Sequence, residues 1–326
     1  MSVSSPVDVK PLAMGELVDR AASFWRLHFR SLFQLYLVLR LVEYGLLKTV
    51  MLGTPFFSKP HPNPSEIEVR ELVLGLGGIT AIGLIAAWLA WLTTAAAAPY
   101  CWGHLTGRPI ALGESVRRGL GRAGRMTVAF ALSLLQLLVA LVLAAIVPVA
   151  LGAGAGAAFG GSTALGIVVV VVAAGASLLA FTAAFLWYVL RFIVTPHVMV
   201  LEDLGPAAAL RRSNELVSGR VGPGFFGRVK VRATVVMTAV IAIWTAVTLV
   251  TSAPAVIIQA IYGHMFDPSR QDPSAIPQLL LVPAELLSQT AQAIFSPLYL
   301  AFTTIFYLDM RVRREGLDLA LRLKQP

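Results

Sequence analysis

The chain has 326 residues, 57% of them hydrophobic and only 13% charged, with a net charge of +9. Apolar runs of about 20 residues recur, the length a helix needs to cross a bilayer, which excludes an ordinary soluble domain. The runs are continuous rather than alternating, which argues against a lipid-exposed sheet.

The first 30 residues are not expected to form a signal peptide. They carry Asp8, Lys10, Glu16 and Asp19, with no apolar core before a small-residue cleavage site. Residues 12–29 have helical periodicity. Met14, Leu17, Val18, Ala21, Phe24 and Trp25 share one face, opposite Glu16, Asp19, Arg20, Ser23, Arg26 and Arg30. Such a stripe predicts a helix lying in the membrane interface.

Six apolar spans follow, at roughly 31–53, 72–98, 127–151, 164–190, 233–258 and 279–305. The amphipathic element returns before the third span, where Leu112, Val116 and Leu120 oppose Glu114, Arg117, Arg118, Arg122 and Arg125. Four glycines between 113 and 124 make this copy a poorer helix former. A third copy places Leu210 and Val217 against Arg211, Arg212, Glu215 and Arg220. A fourth stretch opens at Asp309 with Arg311, Arg313 and Arg314. These flanks read either as solvated charge that stops the helices sliding or as specific packing elements.

The recurrence is visible in the residues. Pro11-Leu-Ala-Met-Gly-Glu-Leu-Val-Asp-Arg20 and Pro109-Ile-Ala-Leu-Gly-Glu-Ser-Val-Arg-Arg118 share Pro, Ala, Gly, Glu, Val and Arg, and a weaker copy begins at Pro206. Pro99, Pro196 and Pro297 mark a similar step near the ends of the even-numbered spans. A fixed period implies a repeated supersecondary unit. The predicted fold is all-α and integral to the membrane: one domain, 1–326, of six transmembrane helices in three parallel hairpin repeats, 11–108, 109–205 and 206–308. An amphipathic interfacial helix precedes each repeat, and 309–326 forms a basic amphipathic tail.

Charge predicts the orientation. Of the 26 Lys and Arg residues, 21 lie in the N-terminal segment, the 105–125 and 191–232 loops and the tail. Positive loops stay cytoplasmic, so both termini are expected on the cytoplasmic side. The segments 54–70, 152–163 and 263–277 are rich in Pro or Gly and are expected to be outer turns or loops.

Chemistry is sparse. Gly152-Ala-Gly-Ala-Gly156 lacks the strand and Lys-Ser/Thr ending of a phosphate-binding loop. The five histidines have no ligand spacing, and no catalytic motif is found. The lone cysteine, Cys101, excludes an internal disulfide and a cysteine-cluster metal site, and reads as a small packing residue. No cofactor, metal or nucleic-acid partner is expected. Gly77-x-x-x-Ala81 and Gly83-x-x-x-Ala87 have helix-packing spacing.

The anomaly is polar residues inside the spans. Tyr36, Arg40, Glu43, Tyr44 and Lys48 share a face of the first. Glu285, Gln289, Gln292, Ser296 and Tyr299 form a stripe on the sixth. Intramembrane ionisable groups default to a functional hypothesis. The structural alternative is a clamp in which Arg40 pairs with Glu43, Lys48 meets Glu285, Arg40 lies nearer Gln289 and Gln292, and Tyr36 lies nearer Ser296 and Tyr299.

Around Val200-Leu-Glu-Asp-Leu-Gly-Pro206 and Tyr307-Leu-Asp-Met-Arg-Val-Arg-Arg314 the chain resembles the membrane domain found attached to some bacterial glycerophosphoryl diester phosphodiesterases and in stand-alone multi-pass proteins. The resemblance implies a helical membrane module without catalytic residues, since the diesterase chemistry belongs to a separate soluble domain for which no room is expected before Pro326. The expected function is a non-enzymatic membrane module. It would organise the inner leaflet, or dock a protein partner, through Arg117, Arg118, Arg122, Arg211, Arg212, Arg311, Arg313 and Arg314, with membrane lipids, anionic at that face, as partners. The alternative is a transporter or lipid-translocating protein using the polar stripes.

Overall fold

The computed structural model describes residues 10–54, 69–159, 164–263, 276 and 278–317. These fold into helices: α1 (Met14–Leu27), α2 (Phe29–Gly53), α3 (Val69–Leu105), α4 (Leu112–Leu120), α5 (Ala123–Phe159), α6 (Ala164–Phe192), α7 (Thr195–Leu201), α8 (Pro206–Val217), α9 (Val229–Tyr262) and α10 (Gln278–Glu315). No strand occurs among the described residues. Five segments are long and apolar enough to cross a membrane: α3, α5, the α6–α7 run, α9 and α10. The 25-residue α2 is set apart from them by Arg40, Glu43 and Lys48 along its length.

Helices of 37 and 38 residues, such as α3 and α10, measure about 55 Å at 1.5 Å per residue, well beyond ~30 Å of hydrocarbon. Both helices have their buried part at the arginine-rich end. There the last turns of α3, all of α7 and the last half of α10 are buried in near-continuous runs, packed with Leu17, Ala21 and Phe24 of α1 and Leu216 and Val217 of α8. Toward the other end most side chains are exposed, apart from contacts such as the cluster of Ala255, Leu281 and Ala284 between α9 and α10. Over its most apolar stretch α10 is 83% buried, against 6–17% in the other four segments. The fold is therefore a packed hub at the arginine-rich end, with α10 as a central pillar flanked by α9, α2, α1 and α3.

Several expectations change. The apolar stripe of α1 packs chiefly on α10, and the Trp25 indole N–H donates to the Ile294 carbonyl at 3.0 Å. Residues 309–315 are no separate tail. They continue α10, with Asp309, Met310 and Val312 buried, because nothing before Gly316 interrupts the helix. The Gly/Ala run at 152–159 is helical rather than a loop, since alanine, the best helix former, offsets the glycines. Gly77 and Gly83 face open space, and the close approach to α3 is instead at Gly78, beside Val50 of α2. Residues 55–68, 160–163, 264–275, 277 and 318–326, which hold most of the expected outer loops and the end of the tail, lie outside the described residues.

In α4 the buried face is not the one the apolar residues suggested. Ser115 and Gly119 are buried, while Leu120 is exposed. A Cβ on Gly119 would lie 2.4 Å from the Ala96 Cα, so only glycine lets α4 rest on the backbone of α3. Ser115 sits beside Pro99, accepting from the Tyr100 N–H at 2.9 Å and donating to the Ala96 carbonyl at 2.6 Å. That donor and acceptor are one helical turn apart, so the hydroxyl is inserted into the hydrogen-bond ladder where the proline interrupts it. Pro297 also lies inside its helix, whereas Pro196 begins α7 after a break. Gly119→Val should lift α4 off α3 and lower the thermal unfolding temperature in detergent. Gly124→Ala, with nothing within 4 Å of its Cβ, should not. Equal unfolding temperatures for the two variants would contradict this packing.

Candidate functional site

The polar face of α2 and the polar stripe of α10 meet. They run antiparallel, with Lys48 opposite Glu285 and Arg40 opposite Ser296. The Lys48 ammonium pairs with Glu285 at 2.8 Å and donates to Gln278 at 3.0 Å. The Tyr44 hydroxyl donates to the same Glu285 at 2.8 Å. Arg40 pairs with Glu43 at 2.8 Å and donates to the Ser296 hydroxyl at 3.3 Å, so its long side chain reaches past Gln292. Gln292 instead donates to Ser288 on its own helix at 3.3 Å. Gln289 gains no side-chain partner among the described residues. The charges thus occur as neutral pairs, which suits a low-dielectric setting.

Beside these pairs lies a cavity of about 280 Å³ between α2, α3, α9 and α10. Tyr36, Arg40 and Glu43 line one wall with Ser296 and Tyr299. The opposite walls are apolar, with Ala86, Ala90, Val240 and Trp244. The Nε of Arg40 is buried and has no hydrogen-bond partner among the described residues. The arrangement suits a molecule with one polar and one apolar part.

The second polar system, at the arginine-rich end, is denser. The Asp309 side chain is fully buried and pairs with Arg232 at 3.3 Å and Arg313 at 2.9 Å. Between them runs the extended backbone before α1. The Leu12 N–H donates to Asp309 at 2.9 Å, and the Leu12 carbonyl accepts from Arg232 at 2.9 Å and Arg313 at 2.7 Å. Beside this lock, Glu202 accepts from Arg212 at 3.0 Å and from the Tyr307 hydroxyl at 2.7 Å, and Glu315 joins Arg212 to Arg311. Arg314 donates to the Glu215 carbonyl at 2.6 Å.

The arginines expected to form one basic face therefore divide. Arg212, Arg311, Arg313 and Arg314 tie helices together. Arg118 pairs with Glu114, and Arg122 with Asp203 at 3.0 Å. Arg117 and Arg211 are exposed, as is Arg30, and none of the three has an ion pair among the described residues. The hydrogen bond from Arg122, its charge and that of Arg125 hold the Asp203 carboxyl below the usual range. The sequence reading missed Asp309, Arg232, Glu202 and Tyr307 as a working set. Their one signal was that three of the four lie in the motifs around 202 and 307.

His28, between α1 and α2, joins the hub to the spans. Its Nδ1 lies 2.7 Å from the Tyr100 hydroxyl, and its ring is 4.5 Å from that of His104. Burial, and then the proximity of His104, push the His28 pKa below 6.5. A base with a depressed folded pKa favours folding only while neutral, so its contribution is complete above the unfolded value and is lost as pH falls from there through the folded one.

The chain matches no protein-family model, no curated protein and no solved structure.

Two predictions follow from this geometry. Removing one partner of a buried pair costs about 3–5 kcal/mol. Asp309→Ala should therefore lower thermal stability in detergent most, Arg40→Leu less, and exposed Arg211→Leu hardly at all. An unfolding temperature for Asp309→Ala equal to that of Arg211→Leu would refute the lock. For His28, unfolding between about pH 7.5 and about pH 5.5, above the carboxylate range, should show declining stability in the wild type and a flatter curve in His28→Gln. Parallel curves would remove His28 from the account.

Proposed function

We propose that the chain is a non-enzymatic, six-span membrane module whose arginine-rich end faces the cytoplasm and engages anionic lipid of the inner leaflet. In this reading α2 is the sixth span. Arg40, Glu43 and Lys48 along its length are paired within α2 or with α10, Arg30 sits in its first turn, and its 25 residues are sufficient to cross the membrane. The orientation rests on the concentration of Lys and Arg at one end, and a bacterial plasma membrane on the resemblance given above. The motifs that carry the resemblance to the diesterase-associated membrane domains include Glu202, Tyr307 and Asp309. Their place in the hub supports a structural rather than a catalytic role for them.

A threefold repeat is part of this proposal. Buried runs begin near 92, 192 and 293, at an almost constant step. Each receives an amphipathic helix: α4 on α3, α8 on α6 and α7, and α1 on α10. The last pairing joins the beginning of the chain to its end, as expected if three hairpins close around an axis.

The observation that carries the function is the division of the arginines. With the hub locked by its own ion pairs, Arg30, Arg117 and Arg211 remain exposed on a rigid platform where long helices leave the hydrocarbon. Basic residues there attract anionic lipid by about 1 kcal/mol each. The cavity beside Arg40 favours a second reading, lateral uptake and translocation of a lipid.

Lipid analysis of the protein extracted in native nanodiscs discriminates the two. Phosphatidylglycerol should be enriched around the wild type, and Arg30→Gln/Arg117→Gln/Arg211→Gln should reduce that enrichment without losing thermal stability. Unchanged enrichment would reject the surface reading. If vesicles containing the protein speed the flipping of a fluorescent phospholipid, and Arg40→Leu abolishes it, the translocation reading replaces the first.

A further inference from the structure

We propose that the arginine-rich end holds a built site for the phosphate of an anionic phospholipid headgroup, in the cavity between α3, α4 and α7. The cavity measures about 580 Å³. Arg108, Arg118 and Arg122 line it, and none of its lining residues is a carboxylate. Guanidinium groups bind phosphate oxygens in pairs through a planar fork, which makes arginine the preferred partner for this group. Trp102 and the side chains of Val200 and Leu201 supply an apolar wall for the glycerol portion.

The site is held by features that leave it little freedom. A Cβ on Gly103 would stand 2.6 Å from the Arg108 carbonyl oxygen, so glycine at 103 lets the turn fold back. Gly107 takes the left-handed conformation that turn needs, with φ 75°, and the Arg108 N–H closes it on the Gly103 carbonyl at 2.8 Å. Ser115 and Gly119 seat α4, and with it Arg118, against α3. A ligand therefore meets arginines on a fixed frame.

Two carboxylates stand at the rim. Glu114 pairs with Arg118, and Asp203 pairs with Arg122. Both are substantially exposed, at 39% and 63%, so an entering phosphate can displace them into water. Asp203 also adopts a left-handed backbone, φ 53°, which asparagine tolerates equally well. Asp203→Asn thus removes a competitor of the ligand without disturbing the turn.

The inference rests on the inner-leaflet reading for its choice of a lipid as the source of the phosphate. The test is native mass spectrometry of the full chain in detergent, titrated with short-chain phosphatidylglycerol, short-chain phosphatidylcholine or inorganic phosphate. Phosphatidylglycerol should bind saturably and phosphatidylcholine weakly. Arg108→Gln and Arg118→Gln should each weaken binding roughly fivefold. Asp203→Asn should tighten it, and Arg70→Gln, at the opposite end of α3, should leave it unchanged. Equal affinity in the wild type and the two arginine variants, or weaker binding by Asp203→Asn, overturns the site. Arginine-dependent binding of inorganic phosphate without phosphatidylglycerol keeps the phosphate site and rejects the lipid source. Loss of lipid enrichment in the triple surface variant bears on the surface reading alone.

Discussion

Everything at the arginine-rich end depends on one buried carboxylate. Asp309 has no contact with water, so it must be compensated where it stands, and Arg232 and Arg313 do this with the Leu12 N–H. The same two arginines satisfy the Leu12 carbonyl. One side chain therefore fixes the entry of α1, the start of α9 and the end of α10. An ion pair in this setting adds little net stability over a well-packed apolar alternative, and its effect is chiefly to permit one arrangement of the helices.

The gradient of burial follows from that hub. Lipid tails are as apolar as leucine, so the hydrophobic effect does not drive apolar helices together within the hydrocarbon. In the hub, close packing and polar pairing act together. The exposed valines and leucines of α5 and α6 accord with this, as does the dense packing of α7, α8 and the end of α10. Within the spans the polar exceptions bring their partners with them, as Lys48 does with Glu285.

Much of the architecture was legible because its determinants are local. Five of the six apolar runs return as helices long and apolar enough to cross a membrane. The Arg40–Glu43 pair follows from helical spacing, and the Lys48–Glu285 pair from register alone. What escaped was non-local. Ser115 and Gly119 look like weak helix residues until the Ala96 backbone is set against them. Arg232 reads as one more basic flank, and its partner lies 77 residues away. Gly77 and Gly83 have packing spacing but no neighbour, because spacing does not say which face another helix will cover. The basic stretch from Asp309 looked like a tail because its charges suit water, yet most of those charges are turned onto the protein itself.

The Leu12–Asp309 contact spans 297 residues, nearly the whole chain. At synthesis rates of roughly 5–20 residues per second, α1 leaves the ribosome about 15–60 s before its counterpart on α10 exists. During that interval α10 is not there to cover the α1 stripe of Leu17, Ala21 and Phe24, and a stripe of this kind has affinity for a membrane interface. The amphipathic pattern thus serves two occasions in succession. The affinity that would hold the nascent helix at an apolar surface is the one that later closes the bundle.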